Sequence, residues 1–163
     1  MAVMQTPPVA AQNKDASSTG SRDARRSPPG STPARVLVME NLRERSDFLS
    51  EQLPTERCEV HVMDSARDAL EWLHESVGSR RRAGLDLLVC NARMLGDAGL
   101  ELLARWCAFN PHVPVLLVSA FTNARLRARM AAVPGGVVMD QDFSLEDVRA
   151  TALSLVGENS LTS

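Results

Sequence analysis

In the segment DLLVCNARMLGDAG, residues 86–99, four consecutive apolar residues, Leu87, Leu88, Val89 and Cys90, run directly into Asn91. A short continuous apolar run of this kind is the pattern of a strand buried on both faces of a parallel sheet. The polar residue just beyond it lies where ligands of open α/β sheets gather. An amide in that place can donate and accept hydrogen bonds, but it is a poor nucleophile because its nitrogen lone pair is delocalised into the carbonyl. Other reactive constellations are missing from the sequence. His61 sits in a β-rich run, His74 on a helical face and His112 between two prolines, so no histidine is placed as a base for a nucleophile. Gly96 and Gly99 lack the third glycine of a dinucleotide loop and follow Asn91 rather than opening a nucleotide site. Cys58, Cys90 and Cys107 are odd in number, without CxxC spacing and in apolar contexts, which fits reduced core thiols in a cytoplasm.

From Arg35 onward, β-rich runs alternate with amphipathic segments, which argues for a parallel sheet with helices on both faces. Strands are expected at 35–39, 58–63, 86–90, 114–118 and 136–139. Helices are expected at about 43–52, 66–77, 98–109, 123–132 and 145–156. Ser65 followed by Asp68, and Ser144 followed by Asp147, have the spacing of capping boxes, in which a hydroxyl and an acid satisfy free amide donors. Leu70, Leu73 and Val77 repeat at helical spacing, as do Leu102, Leu103 and Trp106. Trp72 and Trp106 are read as packing residues of these stripes. Asn110-Pro111-His112-Val113-Pro114 closes one helix and opens a strand, since proline cannot continue a helix but can begin a strand.

The 163 residues predict one domain with a tail, and 44% hydrophobic content suffices for an ordinary core. Residues 1–34 are rich in Pro, Gly, Ser and Thr, lack apolar periodicity and are expected to be disordered. The domain is expected over 35–157, with a short tail at 158–163. Lys14, Arg22, Arg25 and Arg26 against Asp15 and Asp23 make the first tail +2, which leaves the remainder at −4 within a net charge of −2. Neither value points to nucleic acid as partner. No signal-peptide pattern and no 18-residue apolar run occurs, so a soluble cytoplasmic protein without membrane partners is expected.

DLLVCNARMLGDAG resembles the third strand and following loop of response-regulator receiver (CheY-like) domains, D-L-hydrophobic-hydrophobic-hydrophobic-D-x-x-M-P-G-x-x-G, with Asn91 at the second Asp and Leu95 at the proline. RVLVMENLRERSDFL resembles that family's first strand and helix, NPHVPVLLVSAF its fourth strand, and GGVVMDQDFSLEDV its fifth strand and last helix start. The resemblance covers about Arg35 to Val156. It implies a flavodoxin-like, five-stranded parallel sheet of order 2-1-3-4-5. It also implies a phosphorylation pocket made here of Glu40, Asn41, Asn91, Ser119 and Gln141. In the family, an acidic pair and the phosphoaccepting Asp hold Mg²⁺, a hard cation that wants carboxylate oxygens. Glu40 alone keeps a carboxylate in this chain. No cofactor is therefore expected, and Mg²⁺ is at most weakly held. Asn91 cannot form the acyl phosphate that Asp would. The family lysine falls on Gln141, with Asp142 at the following proline, and Lys14 is the only lysine in the chain. Ser119 keeps the hydroxyl that contacts the phosphoryl group, and the switch aromatic falls on Val138.

Asn41, Asn91 and Gln141, all neutral, are expected to hydrogen-bond one another or Ser119. Asp86 would tether backbone outside the pocket, and Asp97 would lie in a variable loop. The family's partner face of fourth helix, fifth strand and fifth helix would carry Arg125, Arg127, Arg129 and Val138. The spacing puts Arg125 and Arg129 on one side of a helix and Arg127 on another. Arg80, Arg81 and Arg82 would form a solvated loop. The resulting expectation is a stand-alone bacterial pseudo-receiver without catalytic residues. It would act by protein–protein interaction, with a signalling protein or with itself as a dimer. The alternatives are a conventional phosphorelay regulator phosphorylated by a histidine kinase and a small enzyme on a flavodoxin-like fold. After Val156 only GENSLTS remains, so no output domain is expected.

Overall fold

A computed structural model of the chain describes residues 32–41, 49–76, 84–120, 122–140 and 142–159. The expectations for the tail over 1–31, for 43–48 of the first helix, for Val77, for Arg80 to Arg82 and for Gln141 lie outside these residues. Five parallel strands form one sheet in the order β2-β1-β3-β4-β5: β1 Ala34–Met39, β2 Cys58–Met63, β3 Leu87–Asn91, β4 Val115–Ser119 and β5 Gly136–Asp140. Among the described residues four helices accompany them: α1 Ala66–Ser76, α2 Ala92–Phe109, α3 Ala124–Ala131 and α4 Leu145–Asn159.

The continuous apolar runs become the inner strands because a sheet covered on both faces has no side on which to place polar residues. Side chains alternate between the two faces. Leu37, Met39, Leu88, Cys90, Val115 and Leu117 therefore pack with α1, α2 and α3. Val36, Val38, Leu87, Val89, Leu116 and Val118 pack instead with α4 and with a 3-10 turn at Leu49–Gln52. That turn is the described part of the helix expected over 43–52. Its Leu49 is buried against the α4 cluster, which contains Val148 and Ala152.

The Asp147 amide donates to the hydroxyl oxygen of its capping partner Ser144 (3.1 Å), while the Asp147 carboxylate accepts from the Ser144 amide (2.7 Å). These bonds from Ser144 hold the Asp147 carboxyl below its ordinary range. At Ser65 the hydroxyl accepts from the Asp68 amide at 3.3 Å. The two tryptophans pack as expected, and Trp106 adds a bond from its indole N–H to the Leu73 carbonyl (3.1 Å), which ties α2 to α1. The three cysteines are buried and free. Burial raises their thiol pKa values, that of Cys107 to about 11, so they stay protonated and inert at neutral pH.

The segment after β3 also departs from expectation. The loop expected between Asn91 and residue 98 is helical from Ala92, with a break at Gly96 (φ 62°, ψ −175°). Ala92, Arg93, Met94 and Leu95 are good helix formers, and Asn91 caps them by accepting the Arg93 amide at 3.1 Å. Leu95, where the family pattern has proline, is buried in the α1–α3 core. Gly96 then supplies the left-handed residue that separates this first turn from the rest of α2.

Candidate functional site at the carboxyl edge

Register brings the sequence-predicted residues to one edge of the sheet. Met39 is level with Cys90, Asn91 with Val118, and Ser119 with Asp140. Glu40, Asn91, Ser119 and Asp140 therefore form a row across the carboxyl ends of β1, β3, β4 and β5. Period-two alternation divides the row between the two faces of the sheet. Glu40 turns toward the 3-10 turn, and Asp140 toward α3.

Glu40 is almost fully buried. One carboxylate oxygen accepts the Leu49 amide at 2.6 Å, and the other accepts the Ser50 hydroxyl and, more weakly, the Ser50 amide at 3.4 Å. A buried carboxylate needs such donors to offset its desolvation, and here the backbone after β1 provides them. Glu40, the only residue expected to ligate metal, thus serves as the cap of that turn. The rest of the donor set fits Mg²⁺ no better: Asn41 and Asn91 are neutral, and the Asn91 oxygen is engaged by Arg93. A hard divalent cation needs several free oxygens, preferably anionic ones, so these residues do not fit it. The Asn91 oxygen acts as the helix cap, and the expected bonding to Gln141 lies outside the described residues.

On the other side of the row, sequence reasoning missed a polar cluster. The Arg127 guanidinium donates to the Asp140 carboxylate and to the Thr122 hydroxyl (3.2 Å), and that hydroxyl donates to Asp140 (3.3 Å). Thr122 lies in the loop after β4 and Asp140 ends β5, so a built-in carboxylate engages this cation and this hydroxyl. The pair is 13 residues apart in sequence, at no helical or strand spacing, so no local pattern announces it. Asp142 adds a backbone departure. Its φ of 42° is closed to the proline of the family pattern but tolerated by aspartate.

The expected partner face changes accordingly. Arg125 pairs with Asp97 of α2 and Arg127 with Asp140, so two of the three arginines are held by carboxylates of the same domain. They leave α3 on different sides, as their spacing required. Arg129 is exposed, and Val138 is half-buried against the α1–α3 core. Asp86 tethers backbone as expected, accepting the Arg35 amide at 2.7 Å.

The hydrogen bond from Arg127, reinforced by its charge, holds the Asp140 carboxyl below its ordinary range. A depressed folded-state pKa contributes stability above the unfolded value, about 4, and that contribution is lost as pH falls through the folded value. Asp140→Asn should therefore melt below the parent near neutral pH, and the gap should narrow as pH falls below the ordinary aspartate value of about 4. Thermal melts across that range check this. A gap independent of pH would show that the charge of Asp140 contributes nothing.

Five parallel strands in this order, with helices on both faces and polar residues gathered at the carboxyl edge, define a doubly wound domain of the flavodoxin-like class. The response regulator receiver domain model matches residues 36–150, and the chain belongs to that family. Among curated relatives, the virulence transcriptional regulatory protein PhoP of Salmonella typhimurium and of Salmonella typhi is 25% identical over 126 residues, covering 77% of this chain and 53% of the relative. The chain spans about half the length of these relatives. Among solved structures, a CheY-like receiver domain from Methanospirillum hungatei superposes with a TM-score of 0.62 at 14% identity, over 81% of this chain and all of that one. NtrX from Brucella abortus in complex with ADP gives 0.58 at 19% identity, over 80% of this chain and 28% of that one. This is a receiver domain related to those of two-component response regulators. Among the described residues no helix is long and apolar enough to cross a membrane.

Proposed function

We propose that this receiver domain signals through protein–protein interaction without accepting a phosphoryl group, and that it catalyses no reaction. Asn91 carries the reading: the residue in the phosphoacceptor place is a non-nucleophilic amide whose oxygen caps α2 through Arg93. Glu40 is committed to Leu49 and Ser50, and Asp140 already holds Arg127 and Thr122. Asn41 and Gln141 stand where the family has an acid and a lysine, and the described Glu40 and Asn91 hold their hydrogen bonds within the domain. We place the protein in the cytoplasm, with a signalling protein as its partner and with neither nucleic acid nor membrane in that role. Residues 1–34 act as a tail to the domain.

The rival reading is a conventional phosphorelay regulator, as the transcriptional-regulator relatives suggest. The two separate on a partner captured from the source cell. Its affinity should be the same with and without Mg²⁺ and beryllofluoride, a phosphoryl mimic. A tenfold change, about 1.4 kcal/mol of coupling, would show a pocket that still switches.

A further inference from the structure

Away from the carboxyl edge, α1 and α2 enclose an open groove of about 1020 Å³. Its floor and walls include Leu70, Leu73, Leu95, Leu102, Trp106 and Phe109. Two of these stand out into solvent, Leu102 at 51% and Phe109 at 83% exposure. Leu102, Trp106 and Phe109 follow one another at i, i+4 and i+7, so α2 carries a second apolar stripe beside the Leu100–Leu103–Cys107 stripe that fills the core. One surface thus presents both a protruding aromatic and an apolar recess beside it. That combination is self-complementary, which is what an isologous two-fold contact requires.

The charges on the rim select the occupant. Arg67 pairs with Glu71 along α1 (3.3 Å), and Arg105 with Glu101 along α2 (2.7 Å), all four side chains being more than half exposed. Glu75 and His74 complete the α1 rim. Both signs are present in near balance, which gives no preference for a strongly acidic or basic partner. A two-fold axis along the groove would lay α1 of one copy over α2 of the other. Arg105 would then meet Glu71 and Glu75 of the second copy, and Glu101 would meet its Arg67. We infer that the α1–α2 groove is a homodimer interface, in which Phe109 of each copy enters the groove of the other. This goes beyond the reading of the carboxyl edge and does not depend on it, since the contact uses none of the pocket residues and needs no phosphate.

Sedimentation equilibrium of the full chain, up to roughly 1 mM, the weak end of specific association, provides the test. The parent should dimerise, and Phe109→Glu and Leu102→Glu should each shift it to monomer. Melting curves of the dilute variants should match that of the dilute parent, because both side chains are exposed. Arg105→Glu should weaken the dimer at least tenfold, and Glu71→Arg in the same chain should restore it. Retained dimer in Phe109→Glu and Leu102→Glu would overturn the inference, as would failure of the charge exchange. So would a parent that is monomeric throughout, whether its groove stays open, takes another segment of the same chain or receives a different protein.

Discussion

Leu88→Ala and Leu116→Ala should each cost about 2–5 kcal/mol of stability, a large share of the roughly 5–15 kcal/mol that a domain of this size has in total. Both side chains are fully buried, but on opposite sides of the sheet. Leu88 belongs to the cluster under α1, α2 and α3, and Leu116 to the cluster under α4 and the 3-10 turn. The loss combines the transfer free energy of the removed atoms with the cavity they leave, and neighbours held in a five-stranded ladder cannot collapse freely into it. Each substitution therefore probes one of the two cores. Chemical denaturation should show a lower midpoint with an unchanged slope for both. An unshifted midpoint in either would mean that its face is not packed as described.

The strands were legible because their signal is local. RVLVM, CEVHVM, DLLVC, PVLLV and GVVM are apolar runs of strand length, and each observed strand falls within one residue of its expected bounds. The capping serine at 144 was legible for the same reason, since the box closes within three residues. What escaped was non-local or competitive. Residues 92–95 looked like loop because glycines at 96 and 99 follow them, yet one favourable cap at Asn91 and four helix formers suffice to start α2 early. The Arg127–Asp140 pair joins a helix to a strand end, which only the folded sheet brings together. Arg125, Arg127 and Arg129 could be assigned to sides of a helix from spacing, but their carboxylate partners could not. The helical pattern of Leu102, Leu103 and Trp106 reads as a packing stripe in the sequence. In the structure Leu102 is half exposed, and Phe109, outside that pattern, extends the solvent-facing side.

The central claim concerns chemistry at Asn91, and its expected effect is all or none. Phosphoryl transfer to a receiver requires an in-line nucleophile and neutralisation of the phosphoryl charge. Asn91 supplies an amide, Glu40 has committed its oxygens to Leu49 and Ser50, and the chain has no lysine beyond Lys14. Asn91→Asp alone should recover little, because a single restored nucleophile leaves metal and phosphoryl binding weak at Asn41 and Gln141. The decisive measurement is intact mass after incubation of the purified chain with acetyl phosphate and Mg²⁺. The parent should gain no phosphoryl mass, whereas a phosphate found on any of its carboxylates would contradict the account.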